Sequence, residues 1–354
     1  MAHAAGLPRN GSTAKSGDTS TASAPGQVRS VYLLSLFAGL VGALTLFCLT
    51  LLSLDRTGNL PPPAFSNNLC VDEKLSFMRA NQIESPNLLV VGSSVAWRHV
   101  NGQVLAQALP DVRPMNGAFC GLFANQSTYV AHWLLDREPS IRSVVMIADP
   151  QDFSGCWKAP TAVFNREHVD PYVYGGASHW NFYMRYFSPK SLARNALTVK
   201  AQRAGHIEWD PLVFNRFGDG PLVTNNTRTL MYGRPDALDR NCFDALQELS
   251  ARLQQEGRRL MVVSTPLHPQ WKEKYDPDGS FLADFDQRIL NSLSDSGTYW
   301  NADKDWHTPV TSFVDAVHMR WSAVQEFSAA LAEQLSKAAT GPEPATALKT
   351  AGVP

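Results

Sequence analysis

The sequence has no glycine-rich phosphate loop, no dinucleotide-binding fingerprint and no Cys-x-x-Cys or Cys/His spacing of a zinc site. Each of those chemistries depends on a short motif, so nothing here calls for a nucleotide, a redox cofactor or a structural metal. A surplus of charge is missing as well: 31 Lys and Arg stand against 32 Asp and Glu, for a formal net charge of -1. Without a broad basic surface there is no electrostatic footprint for nucleic acid. Large apolar residues are almost absent from residues 1–30, which begin "MAHAAGLPRNGSTAKSGDTSTASAPGQ", and again from 338–354. Such segments cannot bury enough surface to offset their ordering entropy and read as disordered tails.

Charge disappears altogether between Val31 and Leu54, "VYLLSLFAGLVGALTLFCLTLLSL". A helix needs about 20 apolar residues to cross a bilayer core. The apolar part of a cleaved signal peptide is usually about 7–15 residues, and no small-residue cleavage pattern follows here. Residues 31–54 therefore read as a retained transmembrane helix. Arg9, Lys15 and Arg29 precede it, with only Asp18 against them. The positive-inside rule then puts the N-terminus in the cytoplasm and the main domain on the periplasmic or extracellular side of the plasma membrane. Of the five cysteines, Cys48 lies in the span, and Cys70, Cys120, Cys156 and Cys242 follow it. An even number in an oxidising compartment predicts at least one disulfide, with all three pairings open.

The chain as a whole is rich in core-forming residues, with nine Trp and seventeen Phe. Residues 55–85, with "PPPAFSNN", read as a stiff lead-in. Short β-branched runs predict buried strands at Leu88–Val91, Val112–Asn116, Ser143–Ala148 and Leu260–Ser264. Helical spacing predicts helices at Val95–Leu109, Gln126–Arg137, Leu238–Glu256, Phe281–Leu293 and Trp321–Leu335. The alternation predicts an α/β fold: a doubly wound, mostly parallel sheet flanked by helices over residues 86–337. Residues 153–235, rich in aromatics, Pro, Asn and Gly, interrupt the rhythm. They read as an insertion over the sheet's upper edge, whose aromatics either line a sugar groove or pack an irregular lid.

In a doubly wound sheet the site lies beyond the carboxyl ends of the strands. Ser93 and Ser94 stand there after the first strand, Gln151 and Asp152 after "SVVMIA", and His268 after "LMVVS". A serine hydroxyl becomes nucleophilic when a histidine takes its proton and an acid holds that histidine. "FVDAVHMRW" supplies both: Asp315 and His318 are three apart, just ahead of the last helix. His307 is a weaker candidate.

The order Gly92-Ser93-Ser94, Gly117 in "MNGAFCG", then Asp315-x-x-His318 resembles the SGNH, or GDSL-like, hydrolase superfamily. The resemblance implies a three-layer α/β/α sandwich with Ser94 as nucleophile, His318 as base and Asp315 as its orienting acid. It further implies that the amides of Ser94 and Gly117 bind the oxyanion. Two blocks depart from the pattern: Ser93 replaces the first block's Asp, and "ADPQDF" replaces G-x-N-D. Gln151 is then the candidate for the missing amide donor, with His268 and Asp152 as weaker substrate-binding candidates. "GSS", "DPQDF" and "RYFSPKSL" (Arg185–Leu192) are similar to the membrane-anchored branch that includes teichoic-acid D-alanylation and exopolysaccharide O-acetylation proteins. That branch implies a serine esterase or O-acyltransferase acting on a polysaccharide or other cell-surface polymer. A multi-pass membrane acyltransferase would be the partner supplying the acyl group. The missing block motivates the alternative, a non-catalytic component of a polysaccharide modification or export complex.

Overall fold

The computed structural model describes residues 25–340 except 187, 208 and 209. Of the expected tails, 1–24 and 341–354 lie outside the described residues, while 338–340 are the last residues of a C-terminal helix and not part of a disordered tail. The chain divides into two compact units, Met1–Gly58 and Asn59–Pro354.

The first unit contributes one helix, α1 (Pro25–Arg56). Over Arg29–Arg56 it is long and apolar enough to cross a membrane, with a mean hydropathy of 2.2. It starts ahead of the predicted span, so residues 25–30 are helical rather than part of a disordered tail. Proline suits a helix's first turn, where its missing N–H has no partner to lose.

The second unit runs α2 (Leu69–Ala80), β1 (Leu88–Val91), α3 (Ser94–His99), α4 (Gly102–Ala108), β2 (Pro114–Asn116), α5 (Ala124–Arg137) and β3 (Ser143–Ala148). There follow α6 (Arg166–Val173), α7 (His179–Arg185), α8 (Pro189–Arg203), α9 (Arg240–Gln255), β4 (Arg259–Ser264), α10 (Pro269–Tyr275) and α11 (Ser280–Asn291). The last elements are β5 (Gly297–Asn301), α12 (Ala302–Asp305) and α13 (Trp321–Thr340).

The five strands form one all-parallel sheet in the order β2-β1-β3-β4-β5. Successive strand residues face opposite sides. Leu89 and Val91 join Val144, Met146, Leu260 and Val262 in the core beneath α2, α5 and α9. Leu88 and Val90 join Val145, Ile147, Met261 and Val263 in a second core beneath α3, α4, α10 and α13. The sheet is thus covered on both faces, and the winding reverses between β1 and β3. A crevice at the carboxyl ends of those two strands is the expected place for a ligand.

Three sequence expectations change. The lead-in at 55–85 contains α2, a packed part of the domain. The helix expected over Val95–Leu109 is two, because Asn101 caps α4: its side chain accepts from the amides of Gln103 and Val104. The region 153–235 holds three helices, α6 to α8, as well as irregular chain. Two disulfides join the four cysteines. Cys70–Cys120 ties α2 to the loop after β2 (Cα–Cα 6.3 Å), and Cys156–Cys242 ties the segment after β3 to α9 (Cα–Cα 5.3 Å). Cys48 is free and exposed.

Candidate active site

β1 is followed by Gly92, whose φ of +141° is open to glycine. A Cβ there would stand 2.6 Å from both the Ala96 Cβ and the Ile147 carbonyl oxygen. The turn can therefore be tight, and it sends the chain straight into α3. Ser93 caps that helix, its hydroxyl accepting from the Val95 amide at 3.3 Å. The same hydroxyl bonds the buried Asp152 carboxyl. Ser93 is thereby tied into the turn, and Ser94, the first residue of α3, is the serine that faces His318.

Ser94 Oγ lies 3.0 Å from His318 Nε2, across 224 residues of sequence. His318 Nδ1 lies 3.0 Å from Asp315 Oδ2 and 3.1 Å from Oδ1. Asp315 Oδ1 also accepts from the amides of Val317 and His318 at 3.0 and 2.9 Å. Burial opposes ionisation of Asp315. The His318 hydrogen bond and charge, with the two amides, outweigh it and hold the carboxyl below its ordinary pKa. An ionised Asp315 accepts a hydrogen bond from Nδ1–H, which fixes the proton on Nδ1 and leaves Nε2 as acceptor for the Ser94 hydroxyl. The segment is pinched shut by the Val314 amide donating to the His318 carbonyl at 2.8 Å and by a bridge between Phe313 and Met319. This is why three residues of separation suffice to bring acid and imidazole together.

The other predicted residues are placed differently. The Gly117 amide donates to the Val90 carbonyl at 2.8 Å, extending the β1–β2 ladder, so it is not directed at Ser94. Gly117 is glycine for packing: a Cβ would stand 2.4 Å from Leu134 Cδ1 and 2.9 Å from Leu89 Cδ1. The Gln151 side-chain amide donates to the Gly233 carbonyl, away from the oxyanion role. Asp152 is buried against Ser93, and burial with the neighbouring Asp149 charge pushes its carboxyl well above the ordinary range. It is not an open substrate contact. His268 is also buried and caps α10, its Nδ1 accepting from the Gln270 amide at 3.1 Å. Its own amide donates to Ala316 between the triad's acid and base, at 3.0 Å. His307 is exposed. The Ser94 amide has no acceptor among the described residues and is the one candidate oxyanion donor not committed elsewhere.

Three further residues meet the triad without any signal in sequence spacing. His99 is fully buried on α3. Its Nε2 accepts the Met319 amide at 2.8 Å and its Nδ1 donates to Thr265 Oγ1 at 2.8 Å. Burial, reinforced by the nearby His318 charge, drives its pKa well below the ordinary value and keeps it neutral, as that bonding requires. Tyr232 sets its ring edge-on to His318, with centroids 5.7 Å apart. Its φ of +66° is unusual for a bulky residue. The strap it sits on is held by Trp271 Nε1 on the Tyr232 carbonyl at 2.8 Å and by Gln151 on the next carbonyl. Strain held in place by such contacts gathers at functional sites. Asp149, buried just past the end of β3, has one carboxylate oxygen with no partner among the described residues. Burial raises its pKa to about 6 despite the Gln151 amide and the His318 charge.

No protein-family model matches the chain, and no curated protein matches it.

Proposed function

We propose that the chain is a membrane-anchored, envelope-facing serine esterase or O-acyltransferase of the SGNH-like kind. Its substrate would be a polysaccharide or other cell-surface polymer. One observation carries the reading: the 3.0 Å contact between Ser94 Oγ and His318 Nε2, with Asp315 on the far ring nitrogen. A scaffold has no need of a serine, a base and a buried acid in line.

Ser94 Oγ attacks the carbonyl carbon of an acyl ester while His318 Nε2 takes its proton. The Ser94 amide faces the developing oxyanion. Collapse expels the leaving oxygen, which takes the proton back from Nε2, and the acyl group stays on Ser94. A sugar hydroxyl, or water, then loses its proton to Nε2 and attacks that carbonyl. The acyl group passes to the acceptor and Ser94 is regenerated. Asp315 stays ionised throughout and holds the ring. Transfer to the polymer is the form that suits an anchored protein, with a multi-pass membrane acyltransferase as the acyl source. Tyr232, half-exposed over His318, supports a sugar acceptor because an aromatic face stacks on the C–H faces of a pyranose ring.

One observation favours the alternative of a non-catalytic binding or assembly component. Gly117 and Gln151 are both committed elsewhere, which leaves a single oxyanion donor. A fluorophosphonate probe on the purified full chain separates the two. Labelling that disappears in Ser94→Ala supports the enzyme. Absence of labelling in the wild type, with an acyl-ester substrate also left unhydrolysed, selects the binding component.

A further inference from the structure

The arginine and serines of "RYFSPKSL" take no part in the triad, yet they line a polar cavity of about 250 Å³ between the segment 64–67 and the start of α8. Arg185 and Arg194 bring two guanidinium groups to it, and Ser66, Ser188 and Ser191 bring hydroxyls. No carboxylate lies among its described lining residues. Asp72, next to the lining residue Ser66, accepts the Ser66 amide at 2.9 Å. Burial pushes its pKa up to about 8, so it adds no negative charge at neutral pH.

Three features show donors waiting for an acceptor. Asn195 lines the cavity while only 6% exposed. Its Oδ1 takes Arg194 Nε at 3.4 Å, but its Nδ2 has no partner among the described residues. Arg194 uses only Nε in that bond, so both its terminal nitrogens are left. Ser188 caps α8 without a side-chain bond to its own helix, so first-turn amides of that long helix are also unsatisfied. More N–H and O–H donors converge here than the two oxygens of a carboxylate can accept. A phosphoryl group offers three oxygens and matches the guanidinium fork.

We propose that this cavity is a binding site for a phosphoryl group, separate from the triad. Arg194 and Arg185 clamp its oxygens, and Ser188, Ser191 and Asn195 complete the coordination. The group comes either from a soluble phosphate ester or from a phospholipid headgroup.

The test uses the full chain in maltoside micelles, titrated calorimetrically with inorganic phosphate and with glycerol phosphate. It is repeated in micelles doped with phosphatidylglycerol or phosphatidylcholine. One saturable site per chain is expected. Arg194→Gln should weaken it roughly tenfold, the loss of one charge-assisted bond. Ser191→Asp, which sets a like charge in the cavity, should abolish it. Arg240→Gln, an exposed arginine of α9, should leave it unchanged. Competition by glycerol phosphate marks a soluble source. Saturation by a doped lipid, with no effect of glycerol phosphate, marks a headgroup. No saturable binding of any of these probes to the unaltered chain overturns the proposal, whatever the variants do. So does binding that Arg194→Gln and Arg240→Gln weaken equally. Circular dichroism of each variant separates lost binding from lost fold.

Discussion

Ser94, His318 and Asp315 are joined in one hydrogen-bonded line, so removing any of them disables the same proton path. Ser94→Ala and His318→Ala should each lower ester hydrolysis by roughly 10³-fold or more, with the double variant little worse than either and Asp315→Ala costing somewhat less. Turnover of a nitrophenyl ester checks this; additive losses would show that the three do not act together. His99 tests a subtler role. Its acceptor nitrogen holds the Met319 amide next to the base, so its contribution is orientation. His99→Leu should lower kcat roughly tenfold or more with KM little changed. His99→Gln, whose side-chain oxygen can accept the same amide, should recover part of that. Equal losses in both variants would reduce His99 to a core residue. Such details set the limit of what sequence reveals. Asp315 and His318 were legible because their bond is local, and Ser94 because it follows a strand that spacing exposes. His99 was not, since its partner lies 220 residues away. The Gly117 amide was misassigned because strand register, invisible in spacing, directs it to Val90.

Elements were legible in proportion to how cleanly they separate apolar from polar positions. β1, β3 and β4 are near-continuous apolar runs and stood out. β5, "GTYWN", buries only Trp300 and gave no pattern. The helix α2 hides for a related reason: it buries Asp72 and Lys74 along with Val71, Leu75 and Met78, so no apolar stripe shows. That burial has a cost that pH can reveal. The Asp72 carboxyl is raised from 3.8 to about 8 in the fold, mainly by burial, against the pull of Ser66 hydrogen bonds. Below about pH 4 it is neutral in folded and unfolded chains alike. As pH rises towards 8 the unfolded chain ionises freely and the folded one cannot, so stability falls across that window. Asp72→Asn should therefore raise the unfolding midpoint, with a gain that is small near pH 4 and on the order of a few kcal/mol near pH 8. Melts at both pH values check it; a gain independent of pH would mean that the carboxyl is not buried. The disulfides act at the same scale. Each closes a long loop, of sequence separation 50 or 86, and contributes about 2–4 kcal/mol. Non-reduced mass spectrometry should find a free thiol at Cys48 alone, and reduction should lower the melting temperature by several degrees. Four free thiols in the second unit would remove both cross-links from the account.

At the scale of the whole chain, the apolar helix, the disulfides and the choice of substrate depend on one question of topology. The helix Arg29–Arg56 meets the length and hydropathy of a span, but a signal sequence meets them too. Its length beyond a signal peptide's apolar core and the basic residues ahead of it argue for an anchor with the second unit exported. The cysteines give an independent reason, because paired thiols persist in oxidising compartments and are reduced in the cytosol. If both arguments hold, the triad faces the cell envelope. Ester or acyl chemistry on an external polymer is then open to it, and cytosolic substrates are not. An alkaline phosphatase fused after Pro63 should be active, since that enzyme forms its own disulfides only outside the cytosol. A β-galactosidase fused at the same position should be inactive. Membrane fractionation should retain the intact chain at its full length, distinguishing an anchor from a cleaved leader. The reverse pair of reporter activities would place Ser94 in the cytoplasm. The two disulfides would then lack an oxidising environment, and the polymer substrate would fall even if Ser94 proved to be a nucleophile.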